Sequence, residues 1–286
     1  MKTVITGKTC DEERAFYNLT DAEVSRCTFA GPADGESAFK EARRIDVSDC
    51  TFALRYPFWH TVDFTVSRCR LEEGCRASLW YAKNGLLEDC TVLGVKCLRE
   101  CGGMTLRRVT AVSPEFGWRC RSVTLEDCTV TSEYCLFESE ELDISRLTLR
   151  GKYSFQYTKN VVVRDSELDT KDAFWHSVNA RVENCTVKGE YLGWYSDGLT
   201  LVNCRIIGTQ PLCYCRNLTL ENCTMEETDL SFECSDVHAA VRGSILSVKN
   251  PKSGRISADS IGQIVREPCP MVCTAVIEAG GKIVKW

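Results

Sequence analysis

Apolar and polar positions in this chain alternate in short runs that return at fixed intervals. The phrase apolar, any, polar, Cys, any, apolar reads Val24-Ser25-Arg26-Cys27-Thr28-Phe29, then Val47 to Phe52 around Cys50, Val66 to Leu71 around Cys69 and Leu87 to Val92 around Cys90. Val109, Cys128, Leu147, Ser166, Cys185, Cys204, Cys223 and Ser244 then hold the same anchor position. The first steps between the twelve anchors are 23, 19 and 21 residues; from Cys90 to Cys223 every step is 19, and the last is 21. A unit this short cannot bury its own apolar side and must stack on its neighbours, so the repeat predicts a solenoid.

Within a repeat the pattern is strand-like. In Asn217-Leu218-Thr219-Leu220-Glu221-Asn222-Cys223-Thr224-Met225 the apolar positions are 218 and 220, then 223 and 225. Period two, a one-residue slip and period two again describe two inward-facing strands joined by a corner. The residue before the anchor is Asp49, Asp89, Asp127, Asp165, Asn184, Asn203 or Asn222 in seven repeats, and Asp and Asn tolerate the left-handed backbone of a sharp bend. A second turn signal follows thirteen residues after the anchor, at Asn160, Asn179, Gly198 and Asn217, with Asn84 joining if its coil carries a two-residue insertion. No leucine-rich spacing or helix-like half is visible. The pattern predicts an all-β, single-stranded parallel β-helix of about twelve coils in one domain, with residues 1–25 as an N-terminal cap, 26–249 as coils and 250–286 as a C-terminal cap. Caps are expected because open β-helix ends are unpaired strand edges.

Cysteine usage fits this frame. Of nineteen cysteines, eight stand at the anchor, and Cys101, Cys120, Cys215 and Cys234 stand eleven residues after one, where other repeats carry Thr or Ser. These are read as small side chains stacked at interior corners. Cys213-Tyr214-Cys215 and Cys269 to Cys273 lack the spacing of a metal site, so no metal or other cofactor is expected. The odd number of thiols and the absence of a signal-peptide pattern after Met1 suit a reducing, cytoplasmic setting. Only Cys213, Cys10, Cys75, Cys269 and Cys273 are expected to be reactive, being outside the interior columns. The net charge of −5, with both signs interspersed, gives no footprint for nucleic acid. No apolar run reaches the ~18 residues needed to span a membrane.

Two further columns differ from the interior pattern. Nine residues after the anchor, allowing for insertions, stand Lys40, Trp59, Trp80, Arg99, Trp118, Phe137, Gln156, Trp175, Trp194, Cys213 and Phe232. The next residue runs Glu41, His60, Tyr81, Glu100, Arg119, Glu138, Tyr157, His176, Tyr195, Tyr214 and Glu233, without one aliphatic side chain. Stacked polar groups are costly inside a protein, so this second column is expected to face outward. The tryptophans either share its solvent side or pack over a core corner. At ~4.8 Å per coil the stripe is roughly 50 Å long, and an exposed aromatic strip of that size implies a use.

The register, together with Gly35 to Glu41, Arg55-Tyr56-Pro57-Phe58-Trp59-His60, Gly151 to Tyr157, Lys171 to His176 and Thr209 to Tyr214, resembles an uncharacterised bacterial family of pectin-lyase-like right-handed parallel β-helices, a domain of unknown function. The resemblance covers nearly the whole chain. It implies that fold and a cytoplasmic setting in anaerobe-type bacteria, and no established activity. Pectate lyases and polygalacturonases share the architecture, but the stripe contains no counterpart of their Asp clusters.

The stripe therefore reads as a saccharide-binding or carbohydrate-active surface, with aromatic faces for sugar rings. Glu100 and Glu138, two coils or ~9.6 Å apart by strand spacing, are candidate acid and base at the upper edge of an inverting pair. Arg119 between them is suited to a substrate carboxylate, or makes the three a neutralising salt ladder. Glu41 with His60 is a second candidate pair for proton abstraction. The remaining stripe residues named above extend the platform, and any pocket is expected near His60, Glu100, Arg119 and Glu138. The rival expectation is a non-enzymatic scaffold in which the tryptophans form a homodimer or protein interface.

Overall fold

The computed structural model describes residues 2–268 and 272–284. It divides into two compact units, Met1–Thr148 and Leu149–Trp286. Both are built from one kind of coil, and the fold is a parallel β-solenoid of about fourteen turns, about 19 residues apart. Among the described residues the one helical element is a short 3-10 turn, Glu73–Cys75.

One coil of the N-terminal unit shows the plan. A six-residue strand, Lys83–Glu88, forms the long face and ends at Asp89. Cys90 turns the chain into the short strand Thr91–Val92, and a third strand, Lys96–Arg99, closes the coil at Glu100. Each strand pairs in parallel with its counterpart one coil away, as in Gly85↔Phe64 and Gly85↔Met104 on the long face and Trp80↔Arg99 on the third. The long-face strands alternate buried and partly exposed side chains, so every second residue enters the core. Phenylalanines stack inside: Phe29 on Phe52 at 4.6 Å, Phe39 on Phe58 at 5.4 Å and Phe58 on Phe64 at 5.7 Å. Such contacts add about 0.5–1.5 kcal/mol each beyond area burial.

The corners depend on left-handed backbone. Three columns adopt positive φ coil after coil: the residue before the anchor (Asp49, Arg68, Asp89), the residue at the end of the third face (His60, Tyr81, Glu100) and the second residue of the long strand (Asp63, Asn84). The first and last of these are the two turn signals legible in the sequence; the middle one had no such signal. At each corner the amide N–H still points along the stack, as Asp49 donates to the Ser67 carbonyl at 3.0 Å and His60 to the Trp80 carbonyl at 2.9 Å. Side chains then bond up the column. Arg68 grips Asp49, Arg108 grips Asp89 and Arg146 grips Asp127, each through two nitrogens, while Asn203 and Asn222 continue an amide ladder from Asn184.

The anchor cysteines do more than fill space. Cys90 Sγ donates to the Glu88 carbonyl at 3.2 Å and the Val66 carbonyl at 3.4 Å, and Ser166 Oγ serves the equivalent Arg164 carbonyl at 2.7 Å. The second thiol column does likewise: Cys101 reaches the carbonyls of Leu79 and Arg99, and Thr61 that of Phe39. A bent corner frees carbonyls inside a dry core, and a small donor at the bend satisfies them.

The ends differ from the expected caps. Residues 3–10 already form a coil, with Thr3↔Ala22 and Thr9↔Thr28 in parallel register. Toward the C terminus Asp236–Arg242, Ser253–Ala258 and Val276–Ala279 keep stacking, and the antiparallel pair Ile277↔Val284 breaks the parallel pattern. Ser244, expected at the anchor, is exposed; Val241 pairs with Cys223 instead, after a register shift. Cys213, Cys10 and Cys75, expected to be reactive, are instead buried. Burial pushes the Cys75 thiol up to about 12. Cys269 lies outside the described residues.

Two measurements test this account. Hydrogen bonds from their arginines hold the carboxyls of Asp49, Asp89 and Asp127 below the ordinary 3.8. Groups so depressed stabilise the fold above about pH 4, and that contribution is lost as pH falls further through their folded values. Replacing all three by Asn, the residue that other coils carry there, should flatten the fall in melting temperature below about pH 4; an unchanged acid limb would refute the pairing. In a Cys269→Ser background, a water-soluble thiol reagent should react rapidly at the half-buried Cys234 and Cys273 and reach the sixteen buried thiols only on unfolding.

Candidate functional site: the aromatic third face

Three outward columns meet on the third face of the coil. The indole column ends the third strand, the rung column follows it at the left-handed corner, and a rim column opens the same strand. The rim residues of successive coils are Tyr56, Ala77, Lys96, Glu115 and Tyr134, in register through Ala77↔Lys96 and Glu115↔Tyr134. Strand geometry turns the inner residues, such as Cys97 and Leu98, into the core and leaves Lys96 and Arg99 partly exposed.

In the N-terminal unit the indole column is half-buried. Trp59 stacks on Trp80 at 5.6 Å, Tyr56 meets both edge-on, and Lys40 lies 4.3 Å over the Trp59 ring. Arg99 lies over Trp118, 5.4 Å from its centroid, and Trp118 packs against Phe137. The indole N–H groups of Trp59, Trp80 and Trp118 are buried and find no acceptor among the described residues. Beside Trp80 the rim column carries only Ala77, between Tyr56 and Lys96, and the missing side chain leaves a cavity of about 330 Å³. Tyr56, Arg76, Trp80, Val95, Lys96, Arg99 and Glu115 complete its walls with Ala77. Glu115 takes Lys96 at 3.6 Å and Arg99 at 3.4 Å, so three cations face one carboxylate.

In the C-terminal unit the rung column is an unbroken ring stack. Tyr157, His176, Tyr195 and Tyr214 follow one another at 4.9, 5.0 and 4.9 Å, with planes within 12° of parallel. The indole column holds Trp175 on Trp194 at 5.6 Å, and here the indole N–H groups are satisfied by the carbonyls of Tyr191 and Gln210 at 2.8 and 2.7 Å. A second cavity, about 550 Å³, opens where the ring stack ends, among Tyr214, Arg216, Glu233, Cys234 and Lys252.

These positions refine the expected stripe. The rung column faces outward as expected, with His60, Arg119, Glu138, Tyr157, His176 and Tyr195 exposed. Its ring faces, however, are spent on one another: His60 stacks on Tyr81 at 4.9 Å, and interior rings present edges to solvent, not flat faces for sugars. Glu233 is not a rung. The Tyr214 amide pairs with the Glu233 carbonyl, which puts Glu233 in the indole column and Cys234, at positive φ, in the rung column. One extra residue in that coil causes the slip. Arg119 bonds Glu138 at 2.7 Å, the salt-ladder arrangement, and Arg99 approaches Glu100 at 4.0 Å. Glu41 accepts from the Tyr17 hydroxyl at 3.1 Å. None of Glu41, His60, Glu100 or Glu138 lines the first cavity, which lies one column over on the rim side. Burial does push a carboxyl upward, but at Asp172, in the other unit. Sequence reading missed the rim column; its signal was a Tyr, Ala, Lys, Glu, Tyr series six residues past the anchor, or eight at Ala77 in the coil with a two-residue insertion, in which Ala77 is the one small side chain. Among the described residues no cluster of His, Cys, Asp or Glu is placed to hold a metal ion.

The coil plan and its outward columns define a parallel β-solenoid. Within that class the chain belongs to the family described as "Protein of unknown function (DUF3737)", which it matches over residues 3–276. No curated protein is similar in sequence. Among solved structures it is similar to PfbA, a surface adhesin of Streptococcus pneumoniae, at 8% identity and a TM-score of 0.51, over 80% of this chain and 83% of the adhesin. Looser likenesses are to the periplasmic alginate epimerase AlgG (9% identity, TM-score 0.29, 92% and 77% of the two chains) and to the A-module of the Azotobacter vinelandii mannuronan C-5 epimerase AlgE6 (10%, 0.33, 98% and 90%). At these identities the likeness is one of fold.

The contrast between indole groups gives a test. Trp175→Phe and Trp194→Phe each remove a bond to a carbonyl, whereas Trp59→Phe removes a buried donor that has no partner among the described residues. The first two should cost about 1 kcal/mol more than the third in chemical denaturation. Equal losses would show that packing alone sets the column.

Proposed function

We propose that the N-terminal unit binds an acidic saccharide in the cavity over Trp80. The observation that carries this reading is the combination found there: an indole beside a recess, with Arg76, Lys96 and Arg99 against the single carboxylate of Glu115. Aromatic carbon favours the apolar face of a sugar ring, and an excess of guanidinium and ammonium groups favours a carboxylate on that ring. A volume of about 330 Å³ falls in the range of small-molecule pockets.

Binding is favoured over bond cleavage. The expected acid pair, Glu100 and Glu138, stands outside this cavity with arginines beside both carboxylates. Glu115, the carboxylate that does line it, is shared between Lys96 and Arg99 and serves to hold those cations in place. A homodimer through the aromatic stripe has less support, because stacking within the columns consumes the flat faces that such an interface would use.

Calorimetry with tetragalacturonate, using a neutral tetrasaccharide as control, tests the reading. The acidic ligand should bind in the micromolar to millimolar range expected of a small open site, and the neutral one at least tenfold more weakly. Lys96→Glu should weaken binding tenfold or more. Ala77→Tyr, which fills the recess with the residue that the rim already carries at Tyr56 and Tyr134, should abolish it without lowering the melting temperature. Equal binding of both saccharides, or unchanged binding by Ala77→Tyr, would overturn the proposal.

A further inference from the structure

The C-terminal unit contains a gap in its own ring stack. Tyr157, His176, Tyr195 and Tyr214 occupy successive rungs at 4.9–5.0 Å. The next rung belongs to Cys234: its backbone has the same left-handed conformation, φ 58 against 60 at both Tyr195 and Tyr214. A thiol is far shorter than a phenol ring. Among the described residues the outer face of Tyr214 therefore lacks the ring partner that every earlier ring has, and the cavity of about 550 Å³ lies at that place, bordered by Tyr214 and Cys234 together.

We propose that this cavity binds a planar aromatic or heteroaromatic ring carrying one anionic group, the ring completing the stack on Tyr214 and the anion lying beside Lys252. The ring class follows from the geometry. The ladder holds its members parallel within 12° at one coil spacing, so the vacant level is a flat slot, which suits a planar π system better than a puckered saturated ring. The anion follows from Lys252, the one cation lining the cavity without an ion pair among the described residues. Glu233 and Glu267 both contact Lys249, at 3.2 and 2.9 Å, and Arg216 is held by Asp197 at 3.0 Å. The Tyr214 phenol, pushed up to about 12 by burial and the nearby Glu233 carboxylate, stays protonated and keeps a donor at the edge of the slot. This site is independent of the saccharide cavity, since it lies wholly within the C-terminal unit.

The probe is 2-naphthoate, with cyclohexanecarboxylate as the saturated control, 2-naphthol as the uncharged one and galacturonate as the sugar acid. Titration followed by calorimetry and by chemical shifts of the tyrosine rings should give saturable binding of 2-naphthoate with Kd below about 1 mM, as ligand-efficiency bounds allow for so small a molecule. The three controls should bind at least tenfold more weakly. Cys234→Tyr supplies the missing rung in a conformation that tyrosine already adopts at Tyr81, Tyr157, Tyr195 and Tyr214 in this column, so it should abolish binding while preserving the fold by circular dichroism. Tyr214→Leu and Lys252→Glu, one removing the ring face and the other reversing the charge, should each weaken binding tenfold or more and serve if Cys234→Tyr does not fold. Absence of saturable 2-naphthoate binding, equal binding of cyclohexanecarboxylate or preferential binding of galacturonate would overturn the proposal, as would full binding by the folded Cys234→Tyr protein.

Discussion

The left-handed corner is the constraint on which the rest of the structure depends. A coil of about 19 residues must close on itself and arrive one strand spacing further along, with every backbone amide still directed at the neighbouring coil. At least three residues per coil achieve this by adopting positive φ, a conformation that costs a non-glycine residue roughly 1 kcal/mol or more. The cost is offset because the same turn keeps the corner N–H bonded to the next coil, as at Asp49 and His60. Glycine would relax the strain and lose the side chain, yet most corners are not glycine. Their side chains form the ladders.

Stacking in register makes each column a chemical problem of its own. A residue sits about 4.8 Å from the residue at the same place in the next coil, so a column of one charge would repel itself. This chain solves the problem in four ways: Asp alternates with Arg at the outer corner, Asn follows Asn as amide bonded to amide, rings lie on rings, and thiols or hydroxyls inside donate to the carbonyls that the bends release. The last solution explains why Cys, Ser and Thr interchange at two interior columns while the adjoining positions hold Phe, Leu and Val. The exchange is not exclusive: Ala42 and Ala82, which have no donor for those carbonyls, stand in the second column, and Val109 and Leu147 stand at the anchor.

Both cavities arise where a column is interrupted. Ala77 replaces a long side chain in the rim column, and Cys234 replaces a ring in the rung column. An intact ladder presents edges and satisfied charges, and offers a ligand little. A single short residue exposes a ring face together with the charged groups of its neighbours. Ligand sites on such a solenoid are thus best sought as breaks in a repeat, rather than as its richest stretch of functional residues.

The repeat, the two outer turn signals, the inward thiol columns and the outward rung column were all legible in the sequence, because each depends on a periodicity that any one coil imposes on the next. The sequence also exposed Trp59, Trp80, Trp175 and Trp194 as one column, but not that their faces would be spent on each other; Cα spacing brings parallel rings together and no residue type announces it. Nor did it show that the first residues are a coil and not a cap, since residues 3–10 satisfy the strand register without the anchor phrase that marks the others. The one-residue slip that turns Glu233 away from the rung column and puts Cys234 in it, and the recess beside Ala77, were decided by the tertiary structure. Both depend on what stands above and below a residue in neighbouring coils, and an insertion of one or two residues changes that neighbour while leaving the local pattern of apolar and polar positions intact.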